Sequence, residues 1–294
     1  MDTAEILKRV RHIEIETGKL VKETFAGEYL SVFKGQGIEF AEVRQYVPGD
    51  DIRSIDWNVS ARTGATYVKK FNEERELTLL IACDVSASLM FGSLGRFKSE
   101  IAAELAALFA FSATHNNDKV GLLLFSDKIE LYIPPKKGRR HVLRIIRELL
   151  AFTPKNKGTD IALALESINR LIRRSGIVIL ISDFKTEQDY SKPFKLTARK
   201  FDVVPVLVED EIEKNLPRAG VFLSLEDLEG QGQLLLNLAS KKTAEITQKY
   251  VEELDKAKLL FTKSGLEYIK VQDGDKISDT LIKFFKRRAR KLRR

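Results

Sequence analysis

The sequence predicts an α/β protein built on a doubly wound, mostly parallel β-sheet. Several apolar runs do not alternate with polar residues, which is typical of strands buried on both faces. These runs are LTLLIAC (77–83), KVGLLLF (119–125), GIVILIS (176–182) and FDVVPVLVE (201–209). Segments with apolar residues at helical spacing separate them, as expected for strand–helix–strand units. Side chains that carry oxygen follow several of the runs, at the strand ends where ligands bind in such sheets.

The remaining elements follow from local periodicity and turn residues. A short helix is predicted over 3–17, and short strands and turns over 26–76. The main predicted domain then contains, in order, a strand (77–84), a helix (97–114), a strand with a hairpin partner (119–127 and 128–135), helices (139–151 and 161–174), strands (176–183 and 201–210), a hairpin insertion near 220–237, a helix (239–263), a strand (266–271) and a tail helix. We therefore divide the chain into an N-terminal extension, residues 1–76, and an α/β domain, residues 77–294, which ends in a basic tail, residues 281–294.

The positive charge is confined to the tail. The formal net charge is +8, and residues 281–294 hold eight cations and no acid, so residues 1–280 are formally neutral. A basic nucleic-acid-binding body is therefore not expected. The single cysteine, Cys83, allows no internal disulfide. The first residues lack a signal-type apolar stretch, and no apolar run is long enough to span a bilayer, so we expect a cytoplasmic protein.

The oxygen atoms after the first buried strand have the spacing of a metal site. Asp84, Ser86 and Ser88 alternate in DVSAS, Thr159 precedes a helix in KGTD, and Asp183 ends the strand GIVILISD. A carboxylate or hydroxyl at such a place is often only a helix cap. Five such side chains at one edge of a parallel sheet instead favour a hard divalent cation, Mg²⁺ or Mn²⁺.

These same residues carry a resemblance to a known fold. DVSAS, GTD and ISD resemble the metal-ion-dependent adhesion site of von Willebrand factor A domains, which are Rossmann-type α/β folds. The resemblance implies direct ligation by Ser86, Ser88 and Thr159, with Asp84 and Asp183 acting more often through water. It also implies an open coordination position for an acidic residue of a partner. KGTD departs from the common Gly-Gly-Thr but keeps the hydroxyl.

A second resemblance covers nearly the whole chain. GEYLSVFKGQGIEFAEVRQYVPGDDIRSIDWNVSARTG (27–64), together with ERELTLLIACDVSAS, DKVGLLLFSD and ISDF, resembles the bacterial family called domain of unknown function fifty-eight. Members are often encoded beside MoxR-type AAA+ ATPases. The resemblance implies a partner of such an ATPase, or of its client, in protein assembly or maturation.

The segment PGDDIRSIDW is a candidate interaction loop. Arg62 follows it closely. Two interpretations of this segment stay open. We favour a salt-bridged, capped loop with its tryptophan buried beneath it, and the alternative is a binding surface. The residues concerned are Asp50, Asp51, Arg53, Asp56, Trp57 and Arg62.

Catalysis is not expected. No P-loop sequence is present, and the histidines are scattered without zinc-ligand spacing. A phosphotransferase that starts at Asp84 would need a second carboxylate two residues on, where Ser86 stands. We predict a metal-dependent protein–protein interaction module without a small-molecule substrate. The alternative is an anionic-membrane or nucleic-acid binder that acts through the basic tail. Of these, nucleic acid is the less expected partner, and a peripheral membrane contact by the tail stays open.

Overall fold

The structure is a computed structural model. It describes residues 8, 10–15, 18, 29, 32–33, 38–73, 77–93, 95–154, 158–214, 222–226, 233–237 and 241–292. The chain divides into two compact units, one of residues 33–77 and one of residues 1–32 and 78–294. Of the helix predicted over 3–17, residues 10–15 are helical, and most of the other residues of that segment lie outside the described part.

The smaller unit is a two-stranded antiparallel sheet with a helix between its strands. Strand β1 (Ile38–Gln45) pairs with β2 (Tyr67–Glu73), and a 3-10 turn (Ile52–Ser54) and helix α1 (Trp57–Thr63) lie between them. The Asp56 side chain accepts hydrogen bonds from the backbone of Asn58 and Val59 at 3.0 and 3.2 Å, and Gly64 ends the helix at φ 73°. The prediction of strands and turns alone was wrong here, because a seven-residue helix shows its caps but no periodicity.

The larger unit contains the predicted doubly wound α/β sheet. Its elements are β3 (Thr78–Asp84), a 3-10 turn (Ala87–Met90), α2 (Lys98–His115), β4 (Lys119–Phe125), β5 (Ile129–Lys136), α3 (Arg139–Ala151), α4 (Ile161–Leu171), β6 (Ile177–Ser182), α5 (Ser191–Lys200), β7 (Asp202–Glu209), α6 (Glu211–Lys214), β8 (Phe222–Glu226), β9 (Gln233–Asn237), α7 (Lys241–Lys263), β10 (Ile269–Gln272) and α8 (Ile277–Leu292). The six-stranded sheet has the order β10-β7-β6-β3-β4-β5. All neighbours in it are parallel except β4 and β5.

The central strands are buried because helices cover both faces of the sheet. Every residue of β6 is buried, as are all residues of β3 after Thr78. The apolar runs without alternation predicted strands that are buried on both faces of the sheet, and these strands are buried. Gly176, just before β6, has no room for a side chain, since a Cβ there would overlap the carbonyl of Thr78 on β3.

Helix α5 was not predicted. Its start is marked by Asp189, which accepts a hydrogen bond from the backbone of Ser191 at 2.9 Å. Only Phe194 and Thr197 are buried on it. Two buried positions in ten residues give too little periodicity to indicate a helix from sequence.

The tail forms a packed helix rather than a loose basic segment. Leu281, Phe284 and Phe285 on α8 are buried, and the Phe285 ring meets Phe109 of α2 edge-on with centroids 6.1 Å apart. Further along α8, Arg288 pairs with Asp202 at the start of β7.

The predicted insertion near 220–237 is present as two paired strands. Phe222–Glu226 and Gln233–Asn237 are antiparallel, and the turn between them lies outside the described residues. Within the described part of the chain, no helix combines the length and apolarity needed to cross a bilayer.

Candidate metal centre

Four of the five predicted ligands lie at or just after the carboxyl ends of two neighbouring strands. β3 ends at Asp84, and Asp183 directly follows β6. The two strands are parallel and paired, with Cys83 opposite Ile181, so both carboxylates reach the same edge of the sheet. Asp84, Asp183 and Ser86 are almost completely buried.

The loop after β3 folds back onto Asp84. The Asp84 Oδ1 atom accepts a hydrogen bond from the Ser86 backbone N–H at 2.8 Å, and the hydroxyls of Ser86 and Ser88 are 3.1 Å apart. Ser86 directly precedes the 3-10 turn Ala87–Met90, and Ser88 lies within it. The alternating D-x-S-x-S pattern therefore brings three oxygen side chains to one point.

Ser182, the last residue of β6, also contacts this point. Its hydroxyl donates to Asp84 Oδ2 at 2.7 Å and accepts from the Phe184 backbone N–H at 2.9 Å. Phe184 has a left-handed backbone, φ 55°, which costs a residue with a Cβ of order 1 kcal/mol or more. The buried ring of Phe184 packs on Phe261 at 4.9 Å between centroids, and this packing opposes the strain. The chain thus turns sharply just after Asp183.

Asp183 has a cation of the protein beside it. The Lys98 ammonium, on the first residue of α2, donates to Asp183 Oδ2 at 2.8 Å, and neither side chain is more than 1% exposed. Burial would raise the pKa of Asp183, but Lys98 and Lys185, together with the Ser88 hydroxyl, hold that pKa below its usual value. Asp183 is therefore ionised at neutral pH.

Among the described residues, no cation forms a salt bridge with Asp84. Burial and the negative charge of Asp183 raise the pKa of Asp84 to about 7, although hydrogen bonds from Ser182 and Ser86 oppose the shift. Two carboxylates share this buried edge, and within the described part of the chain only Asp183 is paired with a cation. The Asp84 side of the edge is therefore where a bound cation would compensate negative charge.

Thr159 is placed by the start of α4. Asp160 caps α4 through the Leu163 backbone N–H at 2.8 Å, and its own N–H donates to the carbonyl of Ser126 at 2.8 Å. The Thr159 carbonyl accepts from the Thr186 hydroxyl at 3.3 Å, which joins this loop to the one after β6. The Thr159 hydroxyl is buried and has no hydrogen-bond partner among the residues that the structure describes.

These observations fit a hard divalent cation. A buried hydroxyl without a partner normally has a ligand or water to bind. The other donors are oxygen atoms as well, the set that Mg²⁺ and Mn²⁺ prefer. No group of three or more His, Cys, Asp and Glu side chains placed for a metal occurs among the described residues. The predicted set contains only two carboxylates, so hydroxyls would supply the remaining ligands.

Four side chains at this edge were not predicted: Ser182, Lys98, Glu213 and Tyr250. Lys98 alone gave a signal in the sequence, as a cation at the start of an otherwise apolar helix, where the helix dipole disfavours it. Glu213 and Tyr250 lie far away in sequence and were not identifiable from any local pattern.

The PGDDIRSIDW loop differs from the favoured interpretation. Trp57 is 69% exposed rather than buried. Asp50 pairs with Arg44, at 2.6 Å between Asp50 Oδ1 and the guanidinium, and Asp56 pairs with Lys69. The expected partners Arg53 and Arg62 are exposed. Asp51 caps the 3-10 turn through the Arg53 backbone N–H at 2.9 Å. The loop is thus capped and salt-bridged, with an exposed tryptophan.

Comparison with known families gives the classification. The family model described as "Protein of unknown function DUF58" matches residues 42–257. The chain belongs to this family. The predicted membership is confirmed, and the sheet order described above agrees with the predicted von Willebrand factor A-like fold.

Several individual proteins are similar to this DUF58 protein. Uncharacterized protein Rv1480 of Mycobacterium tuberculosis is 29% identical over 231 residues, which cover 78% of this chain and 73% of Rv1480. Uncharacterized protein YeaD of Bacillus subtilis is 28% identical over 112 residues, which cover 37% of this chain and 25% of YeaD.

Solved structures show more distant similarity. BatB from Bacteroides thetaiotaomicron has 16% identity and a TM-score of 0.46, and the match covers 73% of this chain and 99% of BatB. The SpRpn10 VWA domain has 10% identity and a TM-score of 0.38, and the match covers 70% of this chain and 94% of that domain. At these values the similarities carry no argument about ligands or partners.

Proposed function

We propose that this DUF58 protein is a metal-dependent protein–protein interaction module. The observation that carries the proposal is the meeting of Asp84, Ser86, Ser88 and Asp183 at one buried edge, beside a loop whose Thr159 hydroxyl is buried and unpartnered within the described part of the chain. We call these five side chains the rim.

Each residue of the rim has a defined part in the proposal. Ser86, Ser88 and Thr159 offer neutral oxygen atoms to Mg²⁺ or Mn²⁺, and Asp84 and Asp183 supply the negative charge. A cation held there would accept an acidic side chain of the partner as a further ligand. Lys98 leaves the rim with only one uncompensated carboxylate, Asp84, and this argues for weak rather than tight cation binding.

A non-catalytic role agrees with the surroundings of the rim. Burial and the charge of Asp84 raise the pKa of the Cys83 thiol, so this buried cysteine is not an activated nucleophile. Family membership and the von Willebrand factor A-like fold suggest an interaction domain. We further propose a cytoplasmic setting and, as partner, a MoxR-type AAA+ ATPase or its client, because family members are often encoded beside such ATPases.

Partner retention tests this function. The purified chain would be immobilised and exposed to the MoxR-type ATPase from the same genome, in Mg²⁺ and in excess chelator. We expect retention only in Mg²⁺, and loss of retention in a Ser86→Ala/Ser88→Ala double variant whose melting temperature stays close to wild type. Thr262→Ala, which removes an exposed hydroxyl of α7, is the matched control. Undiminished retention in chelator would refute metal dependence.

A groove beside the tail helix supports a second candidate function. It has a volume of about 510 Å³ and is lined by Lys283, Lys286, Arg287, Arg290, Lys291 and Glu267. Glu267 pairs with Arg287 and Lys291, at 3.8 and 3.7 Å, so it compensates only part of the positive charge. Such a groove suits an anionic lipid surface, where each cation contributes about 1 kcal/mol.

Vesicle co-sedimentation tests this second candidate. A Lys283→Gln/Lys286→Gln/Arg290→Gln variant should lose binding to phosphatidylserine vesicles at low salt, while Lys192→Gln/Lys195→Gln/Arg199→Gln on α5 should keep it. Arg288 stays unchanged in both, because it pairs with Asp202. Equal binding by the two triple variants would exclude the groove, and a gel shift with DNA would show whether the tail accepts other polyanions.

A further inference from the structure

Glu213 is surrounded by hydrogen-bond donors from three separate elements. Lys98 on α2 donates to both carboxylate oxygens, at 3.0 and 3.1 Å. Lys185, in the loop after β6, donates to Oε1 at 2.5 Å, and the Tyr250 hydroxyl on α7 donates to Oε2 at 3.0 Å. Two ammonium groups and a phenol converging on one carboxylate form a strong anion site.

The three donors are held in place by contacts other than Glu213. Lys98 is fixed by Asp183, and the Lys185 ammonium lies over the Tyr250 ring, 4.3 Å from its centroid. Lys185 also lies 3.8 Å from Asp183. Lys98 and Tyr250 are buried. These contacts would hold the three donors in the same arrangement when the carboxylate of Glu213 is withdrawn.

Glu213 itself belongs to an element that is weakly attached. Helix α6 has only four residues and buries none of them. Ile212, its one apolar residue, is 36% exposed. The polar contacts of α6 include Ile212 N–H to Asp210 at 2.9 Å, Lys214 to Glu209, and those of Glu213. Because α6 buries none of its residues, withdrawal of Glu213 would uncover no fully buried apolar side chain of this helix.

We propose that Lys98, Lys185 and Tyr250 form a carboxylate receptor, which Glu213 fills in the free protein and an Asp or Glu side chain of a protein partner fills in the complex. The inference rests on the proposed function, since the partner is the same. It adds a second anchoring point next to the rim, because Lys98 contacts both Asp183 and the receptor's carboxylate. It also makes Glu213 an internal competitor, so that a partner binds only after α6 has moved.

Chemical rescue of a shortened side chain tests the receptor. Glu213→Ala removes the carboxylate and leaves space among the three donors. N-acetyl-glutamate amide presents one side-chain carboxylate, and N-acetyl-glutamine amide, with NaCl added to equal ionic strength, is the uncharged control. We expect the glutamate compound to raise the melting temperature of Glu213→Ala by a few degrees over the glutamine compound, because a ligand of the folded state stabilises it. Wild type should not respond.

Two further variants make the result specific. Glu166, like Glu213, pairs with a cation, in this case Arg170, but it is exposed. Glu166→Ala should therefore show no rescue. Glu213→Gln removes the negative charge, so it should melt below wild type. It keeps the side-chain volume, so no space is left for an added carboxylate and we expect no rescue. If Glu213→Ala folds only with the glutamate compound, that too supports the receptor.

Three results would overturn the proposal. The first is an equal melting temperature of Glu213→Ala in the two compounds. The second is a response of Glu213→Gln to the glutamate compound as large as that of Glu213→Ala. The third is failure of Glu213→Ala to fold in either compound, which would show that Glu213 is a permanent part of a structural ion pair. The measurements are made in chelator and need no metal. Failure of rescue with intact metal binding therefore refutes the receptor alone, and rescue without metal binding refutes the metal centre alone.

Discussion

The ammonium of Lys98 lies 2.8 Å from a carboxylate oxygen of Asp183, and both groups are almost fully removed from solvent. One carboxylate of the predicted metal centre is therefore neutralised by the protein itself. The other, Asp84, has a pKa raised to about 7 by burial and by the charge of Asp183. This difference explains how two buried acids can lie at one sheet edge.

The Lys98–Asp183 pair should be strongly coupled. Lys98→Met removes the nearest cation of a buried carboxylate and should lower the free energy of unfolding by about 3–5 kcal/mol. Asp183→Asn in the same chain should restore much of that loss. Urea unfolding of wild type, both single variants and the double variant measures the coupling. Losses that simply add would show that the pair is not an energetic unit.

Asp210 should fix the loop after β3 to the end of β7. Its carboxylate accepts from the Ser93 backbone and hydroxyl at 2.8 and 2.6 Å, and from the Ile212 backbone. Asp210→Ala leaves partly buried donors unpaired and should cost about 1–3 kcal/mol of unfolding free energy. Asp255→Ala, at an exposed position of α7, is the control. Equal stability of the two variants would contradict this role.

Glu209 should make stability depend on pH at the acid end. Burial would raise its pKa, but Lys214 and Lys270 hold the pKa below the usual 4.5. A carboxyl group with a lowered pKa in the folded state stabilises the protein fully above its unfolded pKa, and this contribution disappears as the pH falls through the folded pKa. The stability difference between wild type and Glu209→Gln should therefore be constant near neutrality and shrink below pH 4.5. A difference that grows on acidification would contradict the assignment.

Trp57 should report a solvated indole. It is the one tryptophan of the chain and is 69% exposed. We expect a red-shifted fluorescence emission that iodide quenches readily and that changes little on unfolding in urea. A blue-shifted emission protected from iodide would show that the loop buries Trp57 in solution, as the sequence had favoured.

The sheet could be predicted from the sequence because each strand is indicated by a local pattern of residues. Buried strands such as β3 and β6 are continuous apolar runs, and the oxygen residues that follow them are fixed by chain direction alone. Thr159 was identifiable for the same reason, as a hydroxyl just before a helix start. Short capped helices such as α1 and α5 were missed, since seven to ten residues with few buried positions carry little periodicity.

The charges around the rim could not be predicted, because their partners are distant along the chain. Lys98 meets Asp183 across 85 residues and Glu213 across 115. Glu213 alone has the pattern of an ordinary surface charge, and the unusual position of Lys98 at the start of an apolar helix does not indicate its partners. Trp57 was expected to be buried on the basis of residue type, but on α1 it lies exposed beside a capped turn. Side-chain pairing of this kind is fixed by packing of the whole domain rather than by local pattern.

Calorimetric titration with Mg²⁺ tests the central claim most directly. Wild type and the Thr262→Ala control should bind one cation weakly, and Ser86→Ala/Ser88→Ala and Asp84→Ala should lose this binding while they remain folded by circular dichroism. Mn²⁺ should give the same pattern. Binding that is unchanged in the rim variants would place the cation elsewhere, and an absence of binding by wild type would contradict a metal centre formed by Asp84, Ser86, Ser88, Thr159 and Asp183.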